Sequence, residues 1–200
     1  CSRLTSITIP SSVTSIEASA FEDCRSLTSI TILGGVTSIG NTAFKNCSSL
    51  TEITILGGVT SIGNSAFKYC SSLTDITILG GVTSIGYNAF DSCTSLTSIT
   101  IPKSVQSIEN NAFSGCTALT EVLLENGSTL TSENLGVDEN IIKTYWNEGN
   151  LTWTLDAEGT MTISGSGEMK SYLIPDSPAT QKKDSVNKVV IQEGVTSIGD

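Results

Sequence analysis

Apolar residues recur along the first 126 residues in fixed columns with polar residues between them, and the interval is 23 residues throughout. Leucine holds one column (Leu4, Leu27, Leu50, Leu73, Leu96, Leu119). Two aliphatic columns follow it: Ile7, Ile30, Ile53, Ile76, Ile99, Val122 and Ile9, Ile32, Ile55, Ile78, Ile101, Leu124. A valine column runs from Val13 to Val105 and an isoleucine column from Ile16 to Ile108. All five phenylalanines (Phe21, Phe44, Phe67, Phe90, Phe113), each after an alanine, share the period with all six cysteines (Cys1, Cys24, Cys47, Cys70, Cys93, Cys116). A fixed period of this length marks a solenoid, whose units stack to bury a shared core. Ile7 and Ile9 alternate with Ser6 and Thr8, which predicts a strand with isoleucines inward and hydroxyls outward. The β-branched content of residues 5–9 favours the same element. The V-T-S-I stretch predicts a short strand on another face. Gly34-Gly35, Gly57-Gly58 and Gly80-Gly81 supply the turn between the two, begun in two other repeats by Pro10 and Pro102. The A-F-x-x-C stretch predicts a tight or single-turn helical return, with phenylalanine as the large core plug. The fold class is therefore mainly β, with parallel strands stacked at about 4.8 Å per coil.

After Leu124 the period breaks. Residues 1–126 are the array; residues 127–149 keep apolar positions at Leu130, Leu135, Val137, Ile141 and Ile142 and end in Tyr145-Trp146 and a linker, Asn147 to Asn150. An irregular cap is expected there, because an open solenoid end leaves strand edges and apolar surface unpaired. Residues 150–187 change period: Leu151, Trp153 and Leu155 alternate with threonine, Asp156 to Gly159 turn, and Met161 and Ile163 alternate again. That predicts a β-hairpin with a short loop, followed by loops at Ser164 to Gly167 and Pro175 to Asp184. Residues 188–200 restate the repeat, with Val189-Val190-Ile191 and then Gly194-Val195-Thr196-Ser197-Ile198-Gly199, as the start of a further array. The hairpin module then stands between two arrays, and is expected to cap the second. Because Cys1 already holds the cysteine column, the sequence is expected to begin inside an array, with targeting signals outside it.

The net charge of −10 and the scattering of Arg3, Arg25, Lys45, Lys68 and Lys103 leave no basic stripe before residue 127. Nucleic acid is thereby excluded as a partner, since phosphate binding needs clustered cations, and an anionic membrane surface is disfavoured. No apolar run approaches the ~18 residues of a spanning helix, so no membrane insertion is expected. Histidine is absent, which removes Ser-His-Asp and Cys-His arrangements and His-based metal sites. The cysteine ladder lacks the clustered pairs of a zinc site, and its parallel Cβ vectors oppose disulfides; buried free thiols serving the turn are expected. A lipid-bearing Cys1 is set against its register with five other cysteines. Glu52 and Asp75 hold equivalent positions one strand apart, about the spacing of a retaining glycosidase pair. An exposed pair with no cleft or sugar platform lacks the burial that acid catalysis needs. The Asp156–Glu158 loop lacks the ligand density of a calcium site. No enzyme, catalytic residue, cofactor or metal is expected.

The candidate ligand face is the outward column pair of the strands: Ser6/Thr8, Ser29/Thr31, Glu52/Thr54, Asp75/Thr77, Ser98/Thr100 and Glu121/Leu123. Threonine also simply favours strands and solvates their outer face. As a site, this hydroxyl ladder seeded with acid predicts a concave ligand surface of the kind repeat proteins use. It offers few aromatic or arginine anchors, so single contacts are weak and affinity arises from many repeats together. A third reading, templating an ordered small molecule or ice, is interrupted by Glu52, Asp75 and Glu121.

The unit C-x-x-L-T-S-I-T-I-P-x-x-V-T-S-I-x-x-x-A-F, whose L-x-x-I-x-I stretch matches the strand of a leucine-rich repeat, resembles the BspA-like leucine-rich-repeat surface proteins of bacteria over residues 1–126 and 188–200. The segment from Asn150 to Met169 resembles the hairpin module that often precedes such arrays. This resemblance implies a leucine-rich-repeat solenoid that is secreted or displayed at the cell surface, extracellular, and adhesive toward a host or microbial surface or extracellular-matrix protein. It carries over no catalytic residues. The Leu-Gly-Gly turn of three central repeats departs from the Pro-x-x pattern, with an expected change in local turn geometry only. Glycosylation sequons at Asn46, Asn126 and Asn150 read as accidental in a bacterial protein. The alternative function is a passive structural spacer or surface-coat array.

Overall fold

The computed structural model describes residues 1–56, 58–169, 178 and 182–197. Gly57, most of the expected loop from Pro175 to Asp184, and Ile198 and Gly199 of the restated repeat lie outside the described residues. Each repeat makes one coil with a long and a short strand. In chain order these are β1 (Ser6–Ile9) and β2 (Ser15–Ile16), β3 (Ser29–Ile32) and β4 (Ser38–Ile39), β5 (Glu52–Ile55) and β6 (Ser61–Ile62). Then come β7 (Asp75–Ile78) and β8 (Ser84–Ile85), β9 (Ser98–Ile101) and β10 (Ser107–Ile108), and β11 (Glu121–Glu125) opens the sixth coil. The long strands stack in parallel in the order β1-β3-β5-β7-β9-β11, and the short ones form a separate five-stranded sheet from β2 to β10. Wherever strands of adjacent coils pair, a residue meets its equivalent in the next repeat, as Ile7 with Ile30 and Ser15 with Ser38. The isoleucine columns face in and are buried; the strand between Leu27 and Ile39 shows the rule, with Ile30 and Ile32 buried and Ser29 and Thr31 exposed. The predicted solenoid of stacked parallel strands is the fold.

Two threonine ladders reinforce the strand stacks. The hydroxyls of Thr28, Thr51, Thr74, Thr97 and Thr120 each donate to the carbonyl of the preceding coil's threonine at 3.0–3.3 Å. Those of Thr37, Thr60 and Thr83 do the same beside the short strands at 2.9–3.1 Å. Each bond uses a second lone pair on a carbonyl that already serves the backbone. The corner between the two strands closes by the same amide-to-carbonyl bond in Pro10–Val13, Leu56–Val59 and Pro102–Val105, at 3.0–3.1 Å. At Leu56, leucine therefore replaces proline without changing how the turn closes.

Of the two forms expected for the return segment, the structure takes the tight turn and not the helical one. Amides of Ser19, Phe21 and Asp23 donate to the carbonyls of Asn41, Ala43 and Lys45 in the following coil at 2.8–2.9 Å. The intervening amides of Ala20, Glu22 and Cys24 close tight turns within their own coil at 3.1–3.3 Å. The return is thus a third hydrogen-bonded ladder, and alternate amides need the neighbouring coil to be satisfied. Left-handed residues punctuate it, at Ser19 and Asp23 in one coil, Thr42 and Asn46 in the next, Ser65 and Tyr69 in the third. The phenylalanines that plug the core stack face to face, with centroids 5.2–5.6 Å apart and ring planes within 4–7°.

The coils approach closely where short strand meets return. A Cβ on Gly63 would lie 2.7 Å from the backbone nitrogen of Asn41 in the preceding coil, so space requires glycine there. Gly63→Ala is expected to cost about 1–3 kcal/mol, the range for overpacking a filled site, read as a lower urea midpoint. Gly80→Ala, whose Cβ would meet no atom within 4 Å, is expected to change stability by less than about 0.5 kcal/mol. Equal effects at the two sites would refute the steric account.

Beyond β11 the chain caps the array. Thr131 and Asn134 form a capping box on α1 (Ser132–Leu135), which ends at left-handed Gly136. Leu130 and Leu135 are buried against the array core, with Val137, Ile141 and Ile142 packed beside them. The sheet then continues through β12 (Ile142–Glu148), β13 (Leu151–Asp156), β14 (Thr160–Gly165) and β16 (Lys188–Ile191). The expected linker Asn147–Asn150 is instead the end of β12 and a tight turn, with Gly149 at φ +58°. The physical reason is edge pairing: residues 142–145 of β12 dock in parallel on the open edge of β11, and the far edge of β12, including Asn147 and Glu148, is then paired antiparallel by β13. The hairpin expected over 151–163 is formed by β13 and β14, antiparallel. It carries a small core of Trp153, Leu155, Met161 and Ile163. Beyond it, β16 pairs with β14 and β17 (Val195–Ser197) with β15 (Gly167–Glu168), a long strand followed by a short one as in each coil.

Candidate ligand face

The register of the long strands places the candidate ligand residues in two straight columns. Ser6, Ser29, Glu52, Asp75, Ser98 and Glu121 follow one another as direct partners. Thr8 pairs with Thr31, Thr54 with Thr77, Thr77 with Thr100 and Thr100 with Leu123. All twelve lie on the side of the sheet opposite the buried isoleucines. They do not contribute equally. Ser6, Thr8, Ser29, Thr31, Glu52, Thr54 and Asp75 are exposed, whereas Thr77, Ser98, Thr100, Glu121 and Leu123 are half-buried. At the far end, Lys143 of β12 sits opposite Leu123 and donates to Glu121 at 2.6 Å. That carboxylate therefore has an internal partner, and the open part of the face spans β1 to β7.

The open face is not uniform. Strands β1/β3 and β5/β7 each keep four paired positions, but β3 and β5 pair only at Ser29 and Glu52. Beyond that pair lies a depression of about 450 Å³, lined by Ser29, Thr31, Glu52 and Thr54 with Leu33 and Leu56 at its end. The face thus offers hydroxyls and two exposed, paired carboxylates, Glu52 and Asp75, beside a recess with an apolar rim. Such groups accept hydrogen bonds from amides and cationic side chains. Glu52 lines the recess and Asp75 does not.

The cysteine ladder lies on the other side of the core. The thiols of Cys47, Cys70, Cys93 and Cys116 donate to the carbonyls of Phe21, Phe44, Phe67 and Phe90 at 3.2–3.3 Å. All six cysteines are free thiols, as their parallel register predicts. Burial pushes the Cys47 thiol up to about 12 and that of Cys116 up to about 11, and raises Cys70 and Cys93 as well. In the hairpin loop, Asp156 accepts from the amides of Glu158 and Thr160 at 3.1 and 2.7 Å, so that carboxylate shapes the turn. Sequence reasoning passed over the return face, where Tyr69 and Tyr87 stand 45% and 43% exposed. The available signal was Tyr69 as the single aromatic in the column Asp23, Asn46, Tyr69, Ser92, Gly115.

A stack of parallel strands with a buried leucine column and one open, registered face defines the leucine-rich-repeat class of solenoid. Residues 1–135 match, in six copies, the BspA type leucine rich repeat region. The chain belongs to that family. It is similar in structure to the Treponema pallidum leucine-rich-repeat protein TpLRR, at TM-score 0.59 and 21% identity over 96% of this chain and 73% of that one. A leucine-rich-repeat protein from Bacteroides ovatus superposes at TM-score 0.57 with 23% identity, covering 100% of this chain and 58% of that chain. The pneumococcal vaccine antigen PcpA superposes at 0.56 with 25% identity, over 98% and 47% respectively. The chain therefore spans about half the length of the latter two. No curated protein matches it in sequence. Among the described residues, no helix is long and apolar enough to cross a membrane.

Proposed function

We propose that the chain is a non-catalytic, protein-binding module of adhesin type, secreted or displayed on a bacterial cell surface, with β1 to β7 as its ligand face. The observation that carries this reading is the unbroken column from Ser6 to Asp75, exposed on every strand and flanked by the recess between β3 and β5. The partner is a host or microbial surface or extracellular-matrix protein, engaged through a cationic or amide-rich segment that Glu52 and Asp75 attract. The family's fold is of the protein-interaction type, and the similar pneumococcal protein is a vaccine antigen, a role that suits molecules antibodies can reach. Contacts along such a face are individually small, so display of many coils raises avidity.

The test is solid-phase binding of the chain to immobilised extracellular-matrix proteins and to bacterial cells, with native protein and the double variant Glu52→Lys/Asp75→Lys. Native binding that weakens with salt, and about a tenfold loss in the variant, are expected from reversing two complementary charges. Unchanged binding by the variant would remove this face as the adhesive surface. Absence of binding by the native chain would favour a spacer, the role to which the near-identical strand and corner sequences of repeats 27–49, 50–72 and 73–95 are equally suited.

A further inference from the structure

The return face holds a second depression, of about 410 Å³, in which Tyr69 stands among Asn46, Ser48, Ser71, Ser92 and Thr94. Tyr69 occupies a left-handed position, φ +63°, which the same column elsewhere gives to aspartate, asparagine, serine and glycine. It is the only aromatic residue among the nine left-handed non-glycine positions described. A bulky side chain is disfavoured there, and a ring 45% exposed gains little packing in return. The ring is nonetheless held in place. The Lys68 ammonium lies 4.9 Å from its centroid and is itself anchored 2.7 Å from Asp91, and Lys68 does not line the depression.

The surrounding groups are arranged to accept. Asn46 donates one amide hydrogen to Asp23 at 3.2 Å and keeps its carbonyl oxygen as an acceptor, and Ser92 donates to Asp91 at 2.8 Å, leaving its lone pairs. Thr94 and Ser71 likewise donate to backbone carbonyls of the preceding coil. Arg25, at one end, is paired with Asp23 at 2.9 Å, so the site carries no net cation. In a chain of net charge −10, that disfavours an acidic ligand. A rigid aromatic platform ringed by fixed acceptors fits a ligand with an apolar face and a rim of hydroxyl donors.

We propose that this depression is a carbohydrate subsite for a neutral hexopyranose chain, with one sugar ring stacked on Tyr69 and its hydroxyls donating to Asn46, Ser92 and Thr94. Adjacent coils are 5.2–5.6 Å apart at the phenylalanine stack, an interval comparable to that of successive sugars in an extended chain. The site lies on the return, apart from the strand face, and stands independently of the protein-binding function. The test titrates isotope-labelled chain with cellohexaose, mannohexaose and laminarihexaose. At least one is expected to shift the amides of residues 46–48, 69–71 and 92–94. Tyr69→Ser should weaken that binding about tenfold or more, as loss of a central aromatic anchor does, while Tyr69→Phe retains it. The thermal midpoint of Tyr69→Ser should not fall, since Ser92 occupies the equivalent place, which separates a ligand role from a structural one. Absence of shifts at these amides with all three probes, or binding that survives Tyr69→Ser, overturns the proposal.

Discussion

Phe67→Ala is expected to cost about 3–5 kcal/mol, the loss typical of emptying a buried aromatic site, and to do so more severely than the same change at the end of the array. Phe67 is fully buried and its ring stacks on both Phe44 and Phe90. Phe113 stacks only on Phe90. In a solenoid each coil touches its neighbours alone, so stability is a sum of coil and nearest-neighbour contributions. Removing the central ring deletes two such contacts and opens a cavity that the fixed coil spacing prevents from collapsing. Equilibrium unfolding in urea, followed by circular dichroism, should show a larger fall for Phe67→Ala than for Phe113→Ala. It should also show a broadened transition, as the two halves of the array unfold less cooperatively. Equal losses at the two positions would mean that coupling along the phenylalanine column is not what holds the coils together.

A second large effect is expected in alkali. The ordinary thiol value is 9.0, and burial holds Cys70 and Cys93 above it, with Cys47 at about 12 and Cys116 at about 11. The neutral thiol is the form the fold accepts, so its contribution is complete below about pH 9 and is lost as pH rises toward the folded values. In that window each fully buried thiol costs on the order of 1.4 kcal/mol per pH unit. The guanidinium midpoint under reducing conditions should hold near pH 8 and fall steeply above about pH 9. Lys45 and Lys68, raised by their bonds to Glu22 and Asp91, titrate in the same range, so the decisive comparison is with Cys70→Ala/Cys93→Ala. That variant should lose less stability per pH unit than the native chain. Identical slopes would rule out Cys70 and Cys93 as the source of the alkaline loss.

Much of this protein is written as contacts between equivalent residues of consecutive repeats, and such contacts are legible because the same residue answers itself at each interval. The inward isoleucines, the phenylalanine plug and the free thiols all followed from that register. At Leu56 the Leu-Gly-Gly corner kept the closure of the Pro-x-x corner because both leave the same amide to reach the same carbonyl. The return was harder to read. Every second amide is satisfied by the next coil and the others by tight turns within their own, and a single repeat cannot reveal that. Glu121 looked like part of the open face until Lys143, from outside the periodic region, was placed beside it by β12.

The sequence by itself determined the solenoid, its strand register, its buried columns and the identity of the outward face, because local alternation and a strict period leave one way to bury the apolar residues. Tertiary structure decided what borders that face. It turned the apparent linker at Asn147 into the end of a strand paired with β13, since β12, docked along the open edge of β11, offers its own free edge to the segment that folds back on it. It also reduced the pairing of β3 with β5 to the single position Ser29–Glu52, although S-I-T-I and E-I-T-I do not distinguish this pair from its neighbours. And it raised Tyr69 above a row of fixed acceptors, where a one-residue departure from the column became a platform only once the neighbouring coils stood on either side.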